Sequence, residues 1–149
     1  LISSGKIHQA NEGCACTMNS ILKQFIKHLT VGENEVVLLD MEAGVEHFGR
    51  GVDNSVDLIL MIVDPSFESL KLTKKIQQLG ESIGKTVFFV LNKVNELVLP
   101  TMLESIDDQS KVLAVISTDT EIARKGLLGD ELMMEIPEIH TLARKILKQ

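Results

Sequence analysis

Two hydrophobic patterns alternate along the chain. Four short apolar runs, at positions 36–40, 58–63, 86–91 and 112–116, have the length of strands and lack the polar alternation of a sheet with one wet face. Strands that are apolar on both faces belong in a parallel sheet covered by helices. Between the runs the apolar residues recur at helical spacing. Met18, Ile21, Leu22, Phe25, Ile26 and Leu29 share one face of a first helix, with Thr17 or Asn19 available to cap it. Leu70, Leu72, Ile76, Leu79 and Ile83 mark the inward side of a second helix over 66–83, which Gly84 stops. A weaker helix over 97–106 takes Pro100 in its first turn. Asp119 or Thr120 caps a short helix reaching Arg124, and Pro137 precedes a last one over 138–147. Strand and helix in alternation predict an α/β, mostly parallel sheet flanked by helices, with right-handed crossovers.

At 149 residues the chain is expected to be a single domain with a core of its own. A net charge of −6 supplies no basic stripe to collect phosphates, and the absence of Trp and Tyr leaves no stacking platform, so nucleic acid is excluded as a partner. The longest apolar run, 58–63, is too short to span a bilayer. A cytoplasmic setting with reduced thiols is the expectation. The chain opens on Leu1 rather than Met, in what reads as the end of a strand at 1–3, which suggests a piece of a longer protein.

The two cysteines stand one residue apart, in Gly13-Cys14-Ala15-Cys16. In an extended segment residues i and i+2 face the same way, so both thiols point at one spot. A disulfide between such near neighbours is strained, whereas chelation suits the spacing. A closed thiolate site takes four sulfurs. One chain brings half of them, and a second copy across a two-fold axis brings the rest, so Cys14 and Cys16 point to a metal-bridged homodimer. The alternative is a pair of cysteines serving as small buried apolar residues.

In open α/β sheets ligands collect beyond the carboxyl ends of the strands. The residues there are Asp40-Met41-Glu42-Ala43-Gly44 after the first run, Asp64-Pro65-Ser66 after the second and Asn92-Lys93-Val94-Asn95 after the third. A carboxylate closing an apolar strand is placed to meet a nucleotide-bound Mg²⁺, and a nearby glycine lets the backbone approach a terminal phosphate. Asp at a strand end is also a common turn former. Their joint placement on successive strand ends gives these residues their weight.

Taken together, the Cys-Ala-Cys pair, the stretch Asp40-Met41-Glu42-Ala43-Gly44-Val45-Glu46-His47-Phe48-Gly49-Arg50-Gly51, Val63-Asp64-Pro65-Ser66 and Asn92-Lys93-Val94 resemble the accessory ATPases of carbon monoxide dehydrogenase maturation. That family lies in the deviant-Walker P-loop class with MinD and the nitrogenase iron protein. The resemblance covers essentially the whole chain and matches the later part of a single P-loop ATPase domain, over 1–149. It implies a P-loop NTPase-like three-layer fold, ATP and Mg²⁺ as cofactors, and ATP hydrolysis that drives nickel insertion into carbon monoxide dehydrogenase. By the same resemblance Asp40 contacts Mg²⁺, Gly44 senses the terminal phosphate, and Glu42 and Ala43 share its mobile loop. Asn92 bonds the adenine edge, Lys93 packs its stem beside the ring, and Pro137 and Glu138 lie in a later loop that closes over the base. Cys14 and Cys16 bridge two subunits through Ni²⁺ or Zn²⁺ in a nucleotide-controlled homodimer.

One departure from the family pattern is large: the 149 residues contain no phosphate-cradling glycine-rich loop, and Gly5-Lys6 lacks the surrounding glycines and hydroxyl. The chain alone is therefore expected to bind ATP weakly and not to hydrolyse it. Two departures are smaller. Asn95 stands where guanine-specific relatives carry Asp, which favours adenine, and Thr17 replaces a proline expected after the second cysteine. His47 reads as structural, being without a paired His at ligand spacing. Lys71, Lys74 and Lys75 read as a solvated helix face. The rival to the ATPase is a non-catalytic metal-binding or regulatory dimerisation module, and a cluster-carrying electron-transfer ATPase is disfavoured because its bridging cysteines lie far apart in sequence.

Overall fold

A parallel sheet is held between helices. In the computed structural model, residues 16–33, 35–41, 45, 48 and 55–148 are described. The chain divides into two compact units, Leu1–Asp57 and Leu58–Gln149. Positions 1–3, Gly5, Lys6, Cys14, Glu42, Ala43, Gly44 and His47, on which several of the expectations above fall, lie outside the described residues.

The second unit carries strands β1 (Leu58–Val63), β2 (Thr86–Val94) and β3 (Val112–Ser117), hydrogen-bonded in the order β1-β2-β3. Both pairings are parallel. This is the α/β architecture that the apolar runs predict. Strand β2 is the middle of the sheet and buries every residue from Val87 to Leu91, which explains why that run shows no alternation. β1 is the expected run to the residue, β3 runs one residue longer, and β2 runs on through Val94.

Period-2 alternation on β2 divides the core into two layers. Phe88 and Val90 pack with Leu113 and Leu142 on one face, with Leu58, Leu60 and Ile146 around them. Leu142 and Ile146 belong to helix α5 (Pro137–Ile146), so α5 covers this face. Val87, Phe89 and Leu91 point to the other face, where helix α2 (Phe67–Ser82) packs on β1 and β2. Helix–sheet–helix layering thus follows from the side on which each β2 residue falls.

Capping chemistry sets the helix ends. Ser66 is the N-cap of α2 and its Oγ accepts from Ser69 N at 3.2 Å. Gly84, at φ 68°, supplies the left-handed turn after the helix, as its position predicted. Helix α3 (Leu99–Glu104) takes Pro100 in its first turn. Asp119 caps α4 (Thr120–Leu128), which runs one turn beyond the expected Arg124 before Gly129 ends it at φ 71°. α5 starts at Pro137 itself, the residue whose missing N–H costs a first turn nothing. Lys71, Lys74 and Lys75 are exposed, as expected.

The first unit departs from expectation. Helix α1 (Cys16–His28) forms, but it starts at Cys16, so Thr17 and Asn19 lie inside its first turn rather than ahead of it. Its apolar face is partly open: Ile21 and Phe25 are exposed, while Ile26 and Leu29 are half-buried. Spacing tells which side chains share a face, not what covers them. The run at 36–40 is not a strand: it enters no ladder, and Val36, Val37 and Leu38 are 64%, 46% and 85% exposed. An apolar run becomes a strand only where a neighbour pairs its N–H and C=O groups, and no described strand does so here.

Candidate functional site

The carboxyl ends of β1 and β2 hold a hydrogen-bonded trio. Asp64 directly follows β1, and its backbone is tied at two points, with a third bond joining its two partners to each other. Ser66 N donates to Asp64 O at 2.7 Å, Asp64 N donates to Ser69 Oγ at 3.1 Å, and Ser69 N donates to the Ser66 hydroxyl. The cap of α2 therefore also fixes the backbone that presents the Asp64 carboxylate. From β2, Asn92 Nδ2 donates to Asp64 Oδ1 at 2.8 Å, and Lys93 Nζ meets Asp64 Oδ2 at 2.5 Å. One carboxylate thus engages both residues of the Asn-Lys motif.

A break in the strand pairing makes this possible. Leu91 pairs with Val115 and Val94 with Ser117, so Asn92 and Lys93 together stand opposite the single residue Ile116. That two-against-one count is a β-bulge, a device that re-aims side chains near functional sites. Lys93 carries the backbone change, with φ at 55°, uncommon for a residue with a Cβ. Asn92 and Lys93 are therefore the irregular last turn of β2 rather than a loop after it. Beyond them Thr118 N donates to Val94 O at 2.8 Å and holds the end of β3 alongside.

Separately, the end of β3 and the start of α5 border an open cleft of about 230 Å³, lined by Ser117, Thr118, Asp119, Ile136, Pro137 and Glu138 among others. Two of the predicted site residues, Pro137 and Glu138, are thus placed together at the carboxyl edge of the sheet. The Asp119 carboxylate in its wall is occupied, its Oδ1 accepting from Glu121 N at 2.7 Å and Ile122 N at 2.9 Å. Asn95 has local work too: its Oδ1 accepts from Leu97 N at 2.9 Å and Val98 N at 3.1 Å, turning the chain into α3.

Asp40 is described as an exposed residue in an unladdered segment of the first unit. Cys16 opens α1 instead of lying in an extended loop. Among the described residues no three His, Cys, Asp or Glu side chains gather in a group able to hold a metal ion. No described helix is long and apolar enough to cross a membrane.

The strand-end reading picks out Asp64 with its neighbours but does not give it the Asn92 and Lys93 partners that it has here. The signal was in the sequence, an acid closing an apolar strand two residues before a helix-capping Ser, but the pairing to Asn92 and Lys93 spans 28 and 29 positions and depends on strand adjacency.

A parallel sheet flanked by helices, with polar side chains gathered at its strand ends, is an α/β fold consistent with a P-loop NTPase-like domain. The chain is 45% identical over 148 residues to the uncharacterized ATP-binding protein MJ0084 of Methanocaldococcus jannaschii, and 33% identical over 138 residues to MJ0823 of the same organism. It is 33% identical over 130 residues to the carbon monoxide dehydrogenase accessory protein CooC of Rhodospirillum rubrum. These alignments take in 99%, 91% and 87% of this chain but 59%, 54% and 49% of the relatives, so the chain spans about half their length. No family model matches it.

Proposed function

We propose that the chain is part of an ATP-dependent metallochaperone, a maturation factor that delivers nickel to carbon monoxide dehydrogenase. The nucleotide half of this reading is carried by the convergence of Asn92, Lys93 and Asp64 at the strand ends, and the cleft that Pro137 and Glu138 line at the end of β3 supports it. In it Asn92 bonds the adenine edge, the Lys93 stem lies along the ring, and Pro137 and Glu138 close over the base. Asp40 meets Mg²⁺ and Gly44 the terminal phosphate. Mg²⁺ when bound neutralises charge on the phosphates during transfer to water. The similarity to CooC supports the choice of target enzyme.

The metal half rests on Cys14 and Cys16. Two copies of the pair supply the four thiolates of a closed site, holding Ni²⁺ as cargo, or Zn²⁺ in its place, across a homodimer. Thiolate sites admit both ions, and supply decides between them. The lack of a phosphate-cradling loop within the 149 residues favours a second reading for this chain by itself, a metal-binding or regulatory dimerisation module without hydrolysis.

The test is anaerobic purification beside a Cys14→Ser/Cys16→Ser double variant, with solution mass, metal content and ATP turnover measured on both. About half a metal per chain in a dimer, lost together with dimerisation in the variant, supports the shared site. Activation of nickel-free carbon monoxide dehydrogenase by the protein with ATP supports the maturation role. Identical metal-free monomers would sink the shared site in this chain, and failure of the full-length protein with ATP to activate the enzyme would sink the maturation role.

A further inference from the structure

We propose that Asp64 is the positioning residue of the base site, holding the Asn92 carboxamide in the one orientation that selects a 6-amino purine over a 6-oxo purine. The proposal rests on the reading of Asn92 as the base-contacting residue. A carboxamide offers an acceptor on one side and a donor on the other, and an untethered one rotates to suit either partner. An ionised carboxylate only accepts. With Asn92 Nδ2 at 2.8 Å from Asp64 Oδ1, the amino group must face Asp64, and Asn92 Oδ1 becomes the outward group. Among the described residues none donates a hydrogen bond to that Oδ1, and Asn92 is half-buried, so the acceptor is open to a ligand.

The hold on Asp64 is itself complete. Lys93 Nζ occupies Oδ2, so the carboxylate is bonded on both oxygens, and the α2 cap pins its backbone. Adenine presents an amino donor at C6 and an acceptor at N7, which an outward Oδ1 and the second Nδ2 hydrogen of Asn92 match in the usual bidentate pairing of Asn with adenine. Hypoxanthine presents a carbonyl oxygen at C6, and acceptor would then face acceptor. Base choice is in this way set by a residue that touches no base.

The lysine sharpens the test. In Asp64→Asn the Lys93 ammonium, a donor only, claims the new carbonyl oxygen. The new amino group then faces Asn92, which must turn its own Oδ1 inward to accept from it and its amino group outward. In Asp64→Ala the carboxamide is freed. The experiment titrates wild type, Asp64→Asn and Asp64→Ala with ATP and inosine triphosphate at millimolar concentration, followed by ¹H–¹⁵N spectra that include the Asn92 side-chain amide. Far-UV circular dichroism confirms that each variant is folded, and if Asp64→Ala is not, the near-isosteric Asp64→Asn carries the test.

The expected result is a preference of about tenfold for ATP in wild type, the worth of one hydrogen bond made or opposed. That preference falls to near unity in Asp64→Ala and shifts toward inosine triphosphate in Asp64→Asn, with the Asn92 amide signal displaced in both. A purely structural role would weaken both nucleotides equally and leave their ratio alone. An unchanged ratio in the folded variants, or an unmoved Asn92 amide, overturns the proposal while leaving the base site standing. If the Asn92 amide moves in the variants but wild type binds the two nucleotides equally, or neither, the reading of Asn92 as a base contact fails and the proposal falls with it.

Discussion

Gly80 lies in α2 over the middle of the sheet, and Gly80→Ala tests how tightly that helix is seated. On helix propensity alone the change stabilises by about 1 kcal/mol. Packing opposes it: a Cβ there would stand 2.4 Å from Val87 Cγ2 and 3.1 Å from Lys85 O. Carbon atoms rest at about 3.6 Å, so something must yield by about 1.2 Å. Val87 is stiff at χ1 and 1% exposed, leaving its methyl nowhere to turn. The backbone is also held, because Gly80 O accepts from Lys85 N at 2.9 Å and Ile83 N at 3.1 Å. Overpacking of this severity costs about 3 kcal/mol. The net is a loss of about 2 kcal/mol, or a Tm lower by about 6 °C. Val87→Ala alone loses about 2 kcal/mol to its cavity. The double variant places the new methyl in that cavity and loses about 1 kcal/mol rather than the additive 4. Urea unfolding followed by far-UV circular dichroism measures this, since the chain has no Trp or Tyr for fluorescence. A Gly80→Ala protein as stable as wild type, or strict additivity in the double variant, would refute the reasoning.

Four further outcomes are expected. Thr73, 1% exposed, has its hydroxyl 2.8 Å from both Leu70 O and Ser105 O, its one hydrogen shared between the two carbonyls, and joins α2 to the end of α3; Thr73→Val should cost about 1.5 kcal/mol in urea unfolding and Thr73→Ser less. Asp119→Ala removes the cap of α4 and should cost about 1 kcal/mol by the same assay. Asp108, bonded by the Ser110 hydroxyl and then by Ser110 N, titrates below the ordinary carboxylate value. Its contribution to stability is therefore complete above that ordinary value and is lost as pH falls through the lowered one, so Asp108→Asn should flatten the acid limb of a stability–pH curve and an NMR titration should show the depressed carboxyl. Lys93→Gly relieves a left-handed backbone worth about 1 kcal/mol and gives up an exposed ion pair worth up to about 1 kcal/mol, so thermal unfolding should show no loss of stability and a gain of at most about 1 kcal/mol.

The second unit was legible almost throughout because its signals are local. The run at 58–63, the serine before α2, the glycine after it and the prolines of α3 and α5 each act within a few residues of where they stand. Strand formation at 36–40 is not a local property. The four residues 36–39 are apolar like those of β1, yet β1 lies beside β2 and has its ladder, while 36–39 has no described partner and leaves Val36, Val37 and Leu38 exposed. Two stretches of equal strand propensity thus differ in outcome because backbone hydrogen bonds need a second strand.

The same limit governs the site. Asn92 and Lys93 could be picked out as a strand-end pair, but their geometry is set by the register between β2 and β3. The pairing slips twice, once where Leu113 on β3 lacks an opposite residue between Phe89 and Val90, and once at Asn92 and Lys93. Uninterrupted pairing would send Asn92 and Lys93 to opposite faces of the sheet. The second slip, with Lys93 in the left-handed region, accompanies their joint attachment to Asp64. Since the exposed ion pair of Lys93 does not outweigh the strain of its backbone, stability gives little reason for this arrangement. Its consequence is chemical: an amide whose donor side is fixed on Asp64 and whose acceptor takes no hydrogen bond from the described residues, the property that the proposed base contact requires.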